Sequence, residues 1–339
     1  MSRFLSACRG EAADCTPVWL NRQAGRYMPE YHALKGDTPS LEFFTTPELA
    51  ARATLDAQRI LGVDAAIVFA DLLPMLVPMG LELDYRAGVG PVFGNPVRSA
   101  AAVERLAVPP AEEGTGYIAE TIGRVLADLP GDLPLIGFAG APFTLASYAI
   151  EGRGSRNYLH VKRMMYGAPE VWQALMDKLV DAVAGYVEFQ IDSGVHAVQL
   201  FDSWVGCLSR ADYDRYVGPS TRRLMKRIRG RVPVIYFGTG NGHLVVSMFG
   251  TGPDFLALDW RTPLAETWQR LGMPAVQGNM DPMALCADRA TVAAHARRVL
   301  DEAGGRPGHI FNLGHGIVPE TPVDNVKYLV DFVHETSRR

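Results

Sequence analysis

The chemistry of this chain starts at two arginines four residues apart, in Arg22-Gln23-Ala24-Gly25-Arg26-Tyr27. Arginine presents a planar fork of N–H donors that meets a carboxylate with two hydrogen bonds, and it stays charged. The whole chain carries a net charge of only -4. The arginines therefore imply a local grip on an anionic substrate and not a basic face for nucleic acid. Other polar residues close apolar runs further along: Asp71, Asp202 with Ser203, Asp259, Asn279 and His315. A carboxylate in this company suits N–H donors, or a cation that develops during reaction. For one such residue alone, a satisfied structural hydrogen bond is the commoner fate. The set together points to a site.

Absent motifs narrow the chemistry. No H-E-x-x-H and no Cys/His cluster offers a metal site, and no G-x-S-x-G offers a serine nucleophile. No lysine ends an apolar run where a Schiff base would need it. The residues thus lead to an anion-binding enzyme that uses no metal and no cofactor.

Eight apolar runs must position these groups: Val18–Arg22, Ala65–Asp71, Leu133–Gly140, Ala197–Ser203, Val232–Gly238, Phe255–Trp260, Ala275–Met280 and Ile310–His315. Most are near-continuous in apolar residues, as strands buried on both faces must be. Helical patterns separate them. Thr46-Pro47-Glu48 opens one helix with a cap, a proline and an acid at the positive end of the dipole. Pro169 to Ser193 reads as a long amphipathic helix, and Thr262-Pro263, Asp281-Pro282 and Thr321-Pro322 open others.

Repeated strand–helix units without a Gly/Ser linker predict one α/β domain over residues 1–339, a single (β/α)8 TIM barrel. In that fold the polar run ends collect at one mouth. A doubly wound sheet would present G-x-G-x-x-G after its first strand, and here Arg22 to Arg26 stand in that place. Two connections, Leu72 to Asn95 and Ala141 to Tyr166, read as long active-site loops, the second carrying Arg153, Arg156, Lys162 and Arg163. The four cysteines form no C-x-x-C pair and favour a reducing compartment. The N-terminus lacks the apolar stretch of a signal peptide, and Asp71, Pro74 and Pro78 interrupt the most apolar window. A cytoplasmic location is expected, with no membrane span.

Four segments carry a specific resemblance. Residues 17–31, Pro-Val-Trp-Leu-Asn-Arg-Gln-Ala-Gly-Arg-Tyr-Met-Pro-Glu-Tyr, closely resemble the N-terminal signature of the uroporphyrinogen decarboxylase family. Residues 137–148, Gly-Phe-Ala-Gly-Ala-Pro-Phe-Thr-Leu-Ala-Ser-Tyr, resemble its second signature, and Phe201-Asp202-Ser203-Trp204 and Asn312-Leu313-Gly314-His315-Gly316 resemble two further segments. The resemblance implies a (β/α)8 homodimer, without metal or cofactor, whose partner is a tetrapyrrole substrate. It implies removal of CO2 from the four acetate side chains of uroporphyrinogen III to give coproporphyrinogen III.

Carried over by motif, Asp71 accepts the pyrrole N–H groups and stabilises a cationic intermediate. Arg22 and Arg26 clamp carboxylates, with Gln23 between them also placed at the substrate. Tyr148, Ser203 and His315 hydrogen-bond carboxylates, and Phe138 with Phe201 forms an apolar wall. Arg22, Asp71 and Tyr148 form the implied catalytic set. Asn21, Asp202 and Trp204 depart from the pattern of some family members. The nearest rival is a corrinoid-linked methyltransferase of the same superfamily, which holds zinc with an H-x-C segment. Here Gly316 and Ile317 follow His315, and no histidine has a cysteine two residues on. A non-catalytic tetrapyrrole carrier is the second rival, and it would need no anion beneath the pyrroles.

Overall fold

Strands and helices alternate along most of the chain in the computed structural model, which describes residues 2–339. The strands are β1 (Ala66–Ile67), β2 (Leu83–Arg86), β3 (Gly90–Phe93), β4 (Leu135–Gly140), β5 (Ala197–Asp202), β6 (Val234–Gly238), β7 (Phe255–Ala257), β8 (Val276–Gln277) and β9 (His309–Ile310). Seven of them form one curled sheet in the order β1-β4-β5-β6-β7-β8-β9, every neighbour parallel. Sheet order equals chain order, so each parallel step needs a crossover. Helices supply most of them: Pro169–Asp192, Gly218–Ile228, Leu264–Leu271 and Arg289–Ala303. All six residues of β4 are buried, as a strand covered on both faces requires. The fold is α/β and TIM-barrel-like. Among the described residues no helix is long and apolar enough to cross a membrane.

The first predicted strand, Val18–Arg22, is corrected. It contributes a single parallel bridge, Val18 to Phe311. Phe311 N–H donates to Pro17 C=O at 2.9 Å on one side, and Asp64 N–H donates to Val18 C=O at 2.8 Å on the other. The segment therefore lies between β9 and β1. It stops pairing because Gln23 captures both backbone groups of Leu20. The Gln23 side-chain oxygen accepts from Leu20 N–H at 3.1 Å, and Gln23 N–H donates to Leu20 C=O at 2.9 Å. Arg22 then adopts φ 63°, the left-handed region, which no strand continues.

Side chains anchor this weakly paired segment in the interior. Trp19 Nε1 donates to Gln277 Oε1 at 2.9 Å, and Gln277 Nε2 donates to Gln199 Oε1 at 2.8 Å. Gln199 Nε2 donates to Asn21 Oδ1 at 3.1 Å, and Asn21 N–H donates to Asn312 Oδ1 at 2.9 Å. All five side chains are buried. Of their polar side-chain atoms only Asn312 Nδ2 lacks a partner, and such a chain favours one arrangement, because each lost bond strands a polar group without water.

β1 is also shorter than the predicted Ala65–Asp71. Val68 N–H still bonds Ile136 C=O. Two residues on, the Phe138 groups facing that side are taken by the Gln190 amide, which accepts from Phe138 N–H and donates to Phe138 C=O, both at 2.9 Å. The chain beyond Val68 is thereby released from the sheet and can carry Asp71 aside.

The two predicted loops are largely ordered elements. Leu72 to Asn95 contains the β2–β3 antiparallel hairpin. Ala141 to Tyr166 is mostly two helices, Pro142–Glu151 and Leu159–Gly167. Pro142 starts the first and left-handed Gly152 ends it. The Glu151 carboxylate then accepts from His160 and Val161 N–H at 2.8 and 3.0 Å, at the start of the second.

Candidate active site

The candidate residues follow the C-terminal ends of the strands. Asp71 follows β1 and Tyr148 lies on the helix after β4. Ser203 stands one residue past β5, and His315 lies beyond β9. Arg22 and Arg26 come from the turn after Val18–Leu20 and are exposed. Neither forms an ion pair among the described residues, in a chain that pairs many other arginines.

Glycines give Arg22 its course. A Cβ on Gly316 would come 2.4 Å from Arg22 Cδ, so the arginine side chain runs across a surface that only glycine leaves open. That course sets Arg22 beside His315. Burial first, and the Arg22 charge second, hold the His315 imidazole below its ordinary range. His315 is therefore neutral near pH 7 and offers an N–H donor, not a second cation. Its ring meets Trp260 edge-on, centroids 6.0 Å apart.

Asp71 is surrounded by protein yet keeps part of its surface open. One oxygen accepts from Leu73 N–H at 3.0 Å. Burial pushes the carboxyl above its ordinary 3.8, while the Leu73 N–H, nearby Tyr85 and the Arg22 guanidinium pull the other way. Five tyrosines lie in its field: Tyr31, Tyr85, Tyr117, Tyr148 and Tyr186. The Tyr85 hydroxyl is buried beside Asp71, outside hydrogen-bonding geometry with any partner. Tyr148 feels both Asp71 and Arg22, and burial pushes its phenol up to about 12, so it remains a hydroxyl donor. Its ring lies on Trp204, centroids 3.9 Å apart.

Phe138 and Phe201 meet edge-on at 5.8 Å, and Phe237 extends the row at 5.9 Å from Phe201. Phe237 and the tyrosines other than Tyr148 were not singled out from the sequence. Tyr85 comes from the hairpin, whose sequence reads as a glycine- and proline-rich loop, and Tyr117 and Tyr186 look like ordinary apolar positions on helices.

Three polar residues have their hydrogen bonds occupied internally. Gln23, expected at the substrate, is buried with its amide bound to Leu20 N–H and Ala65 C=O; it shapes the arginine turn. Asn279 donates to Asp259 and Thr262 carbonyls at 2.9 and 2.7 Å. Asp202 accepts from Thr144 Oγ1 and Tyr236 OH, both at 2.7 Å. The remaining expected residues, Arg22, Arg26, Asp71, Phe138, Tyr148, Phe201, Ser203 and His315, come from segments that all end at this one mouth.

Unneutralised arginines and a partly exposed carboxylate at the strand ends suit a polyanion that also carries N–H donors. Residues 1–336 match the family model "Uroporphyrinogen decarboxylase (URO-D)". The chain belongs to the uroporphyrinogen decarboxylase family. The uroporphyrinogen decarboxylase of Sorangium cellulosum is 52% identical over 338 residues, covering 99% of this chain and 97% of that protein. That of Geobacter metallireducens is 49% identical over 340 residues, covering 100% and 99%. A methyltransferase from Methanosarcina mazei has a similar structure, TM-score 0.83 at 21% identity over 98% of both chains. A B12-independent methionine synthase from Shewanella follows at 0.59 and 10%, covering 87% of this chain and 89% of that one. These two share the fold, and fold alone does not carry their chemistry over. Family members, by their name, decarboxylate.

Proposed function

We propose that this chain decarboxylates the four acetate side chains of uroporphyrinogen III to give coproporphyrinogen III, without metal or cofactor. The observation that carries this is the open Asp71 carboxylate, in the field of the exposed, unpaired Arg22 at the strand ends. Loss of CO2 leaves an electron pair that needs a sink. A proton added to the ring carbon next to the acetate turns the pyrrole into a cation. The pair from the breaking C–C bond then forms an exocyclic double bond, and the ring charge is neutralised. A proton on that methylene and loss of the ring proton restore the pyrrole with a methyl group. The net change per acetate is uptake of one proton and release of one CO2.

Each residue serves a step. Asp71 accepts the pyrrole N–H groups and opposes the ring cation, which strengthens as the charge develops. Arg22 and Arg26 hold carboxylates by bidentate bonds. Tyr148, Ser203 and His315 donate single bonds that fix the ring. Phe138 and Phe201 strip water from the carboxylate that leaves, which favours the uncharged product.

The full reading is one domain over residues 1–339, closed into a (β/α)8 barrel by the Val18 segment between β9 and β1. It acts as a cytoplasmic homodimer. Anaerobic incubation with uroporphyrinogen, then oxidation and chromatography, tests it. Products with seven to four carboxylates are expected, and persistence of the eight-carboxylate species would refute the activity. Stoichiometric zinc on the purified protein would favour the methyltransferase chemistry instead.

A further inference from the structure

Two guanidiniums act on His315, and the reading above uses only Arg22. The other is Arg261, whose charge also acts on His315. Its side chain is 59% exposed. Two contacts nevertheless hold it. Arg261 Nη1 donates to the buried Asp259 carboxylate at 3.0 and 3.4 Å, and Cζ lies 3.6 Å from the centroid of the Trp260 ring. Trp260 in turn meets His315 edge-on and seats its backbone on Gly314, where a Cβ would fall 2.1 Å from Trp260 N. The two glycines of Gly314-His315-Gly316 thus admit Trp260 on one side of the histidine and Arg22 on the other.

Asp259 does not require this guanidinium. Its oxygens already accept from Gly240 N–H at 3.0 Å and Arg261 N–H at 2.9 Å. The cation side of the pair is largely in water and screened, and the two backbone donors stay with Asp259 when the guanidinium is removed. What the two contacts do is fix an exposed planar donor on Trp260, the ring that meets His315. The bonds to Asp259 use Nη1, which leaves the Nε and Nη2 edge, the edge that grips a carboxylate with two parallel bonds. A donor already held by stacking gives up little rotamer freedom on binding.

We propose that Arg261 is a third carboxylate clamp, binding a side-chain carboxylate of the substrate at the rim beyond His315. This rests on the porphyrinogen reading, whose substrate has eight carboxylates to place. Arg261→Gln and Arg261→Lys test it in anaerobic steady-state assays with uroporphyrinogen. Loss of a charge-assisted pair raises KM about tenfold or more in Arg261→Gln, with kcat within about twofold and the unfolding midpoint unchanged. Arg261→Lys keeps a charge for Asp259 but loses the fork, so its KM rises by a smaller factor. It serves alone should Arg261→Gln fold poorly. Unchanged KM in the folded variants, with a wild-type protein that turns over, refutes the clamp and leaves the function standing. A wild-type protein without turnover refutes both.

Discussion

Asp71 and Asp202 make an instructive pair. Each stands at the end of a strand region, and each is walled in so that its carboxyl is pushed above the ordinary range, Asp202 to about 6. Their partners differ. Asp202 has no exposed surface, and each oxygen accepts a hydroxyl donor at 2.7 Å, from Thr144 and Tyr236. Asp71 accepts one backbone N–H and stays partly exposed, with Arg22 and Tyr148 in its field. The same residue type in similar surroundings has its acceptors filled in one case and partly open in the other, and only the second leaves capacity for a ligand.

Substitution separates the two most sharply in rate. Asp71→Asn should lower kcat by about 10²-fold or more, the cost of removing one preorganised charge partner, while its unfolding midpoint moves little. A mutant within tenfold of wild type would remove Asp71 from the mechanism. Asp202→Ala should act on stability instead. It strands two buried hydroxyls, at about 1–3 kcal/mol each, and thermal unfolding reads the loss. Should its folded fraction lose as much kcat as Asp71→Asn, the contrast fails.

Arg22→Lys keeps the charge and removes the fork, so KM should rise roughly tenfold, measured by initial rates. The smallest effects are in pH. Asp71 works as an anion, so protonation as pH falls through its raised value should end activity on the acid side, above the usual aspartate range. For Asp202 the linkage is to stability. Its folded value of about 6 lies above the ordinary 3.8, so its contribution is full below 3.8 and is lost as pH rises through about 6. Urea unfolding across that window should show this slope in the wild type and not in Asp202→Asn.

The sequence made part of this legible. The runs that hold β4, β5 and β6 stand out because strands buried on both faces must be apolar throughout. Proline-led helix starts at Pro47 and Pro169 were equally plain. Arg22, Asp71 and His315 could be named because each closes a run. The turn at Arg22 was not legible as a turn, since it depends on Gln23 capturing Leu20 and on Gly316 lying beneath the side chain. Nor was the hairpin that brings Tyr85 to Asp71, because its strands are only four residues each and the half-buried alternation in Leu83–Arg86 is too short to stand out among the surrounding glycines and prolines.

By itself, then, the amino-acid order determined the alternation of strands and helices, the family and the residue types able to bind an anion. These follow from local periodicity and from motifs contiguous in the chain. Tertiary structure decided which polar groups stay available. Gln23, Asn279 and Asp202 spend their hydrogen bonds inside, on partners up to dozens of residues distant, whereas Asp71 accepts a single backbone N–H two residues on and the Arg22 and Arg26 guanidiniums are exposed. Residual hydrogen-bonding capacity depends on neighbours in space, and only the folded chain brings those neighbours together.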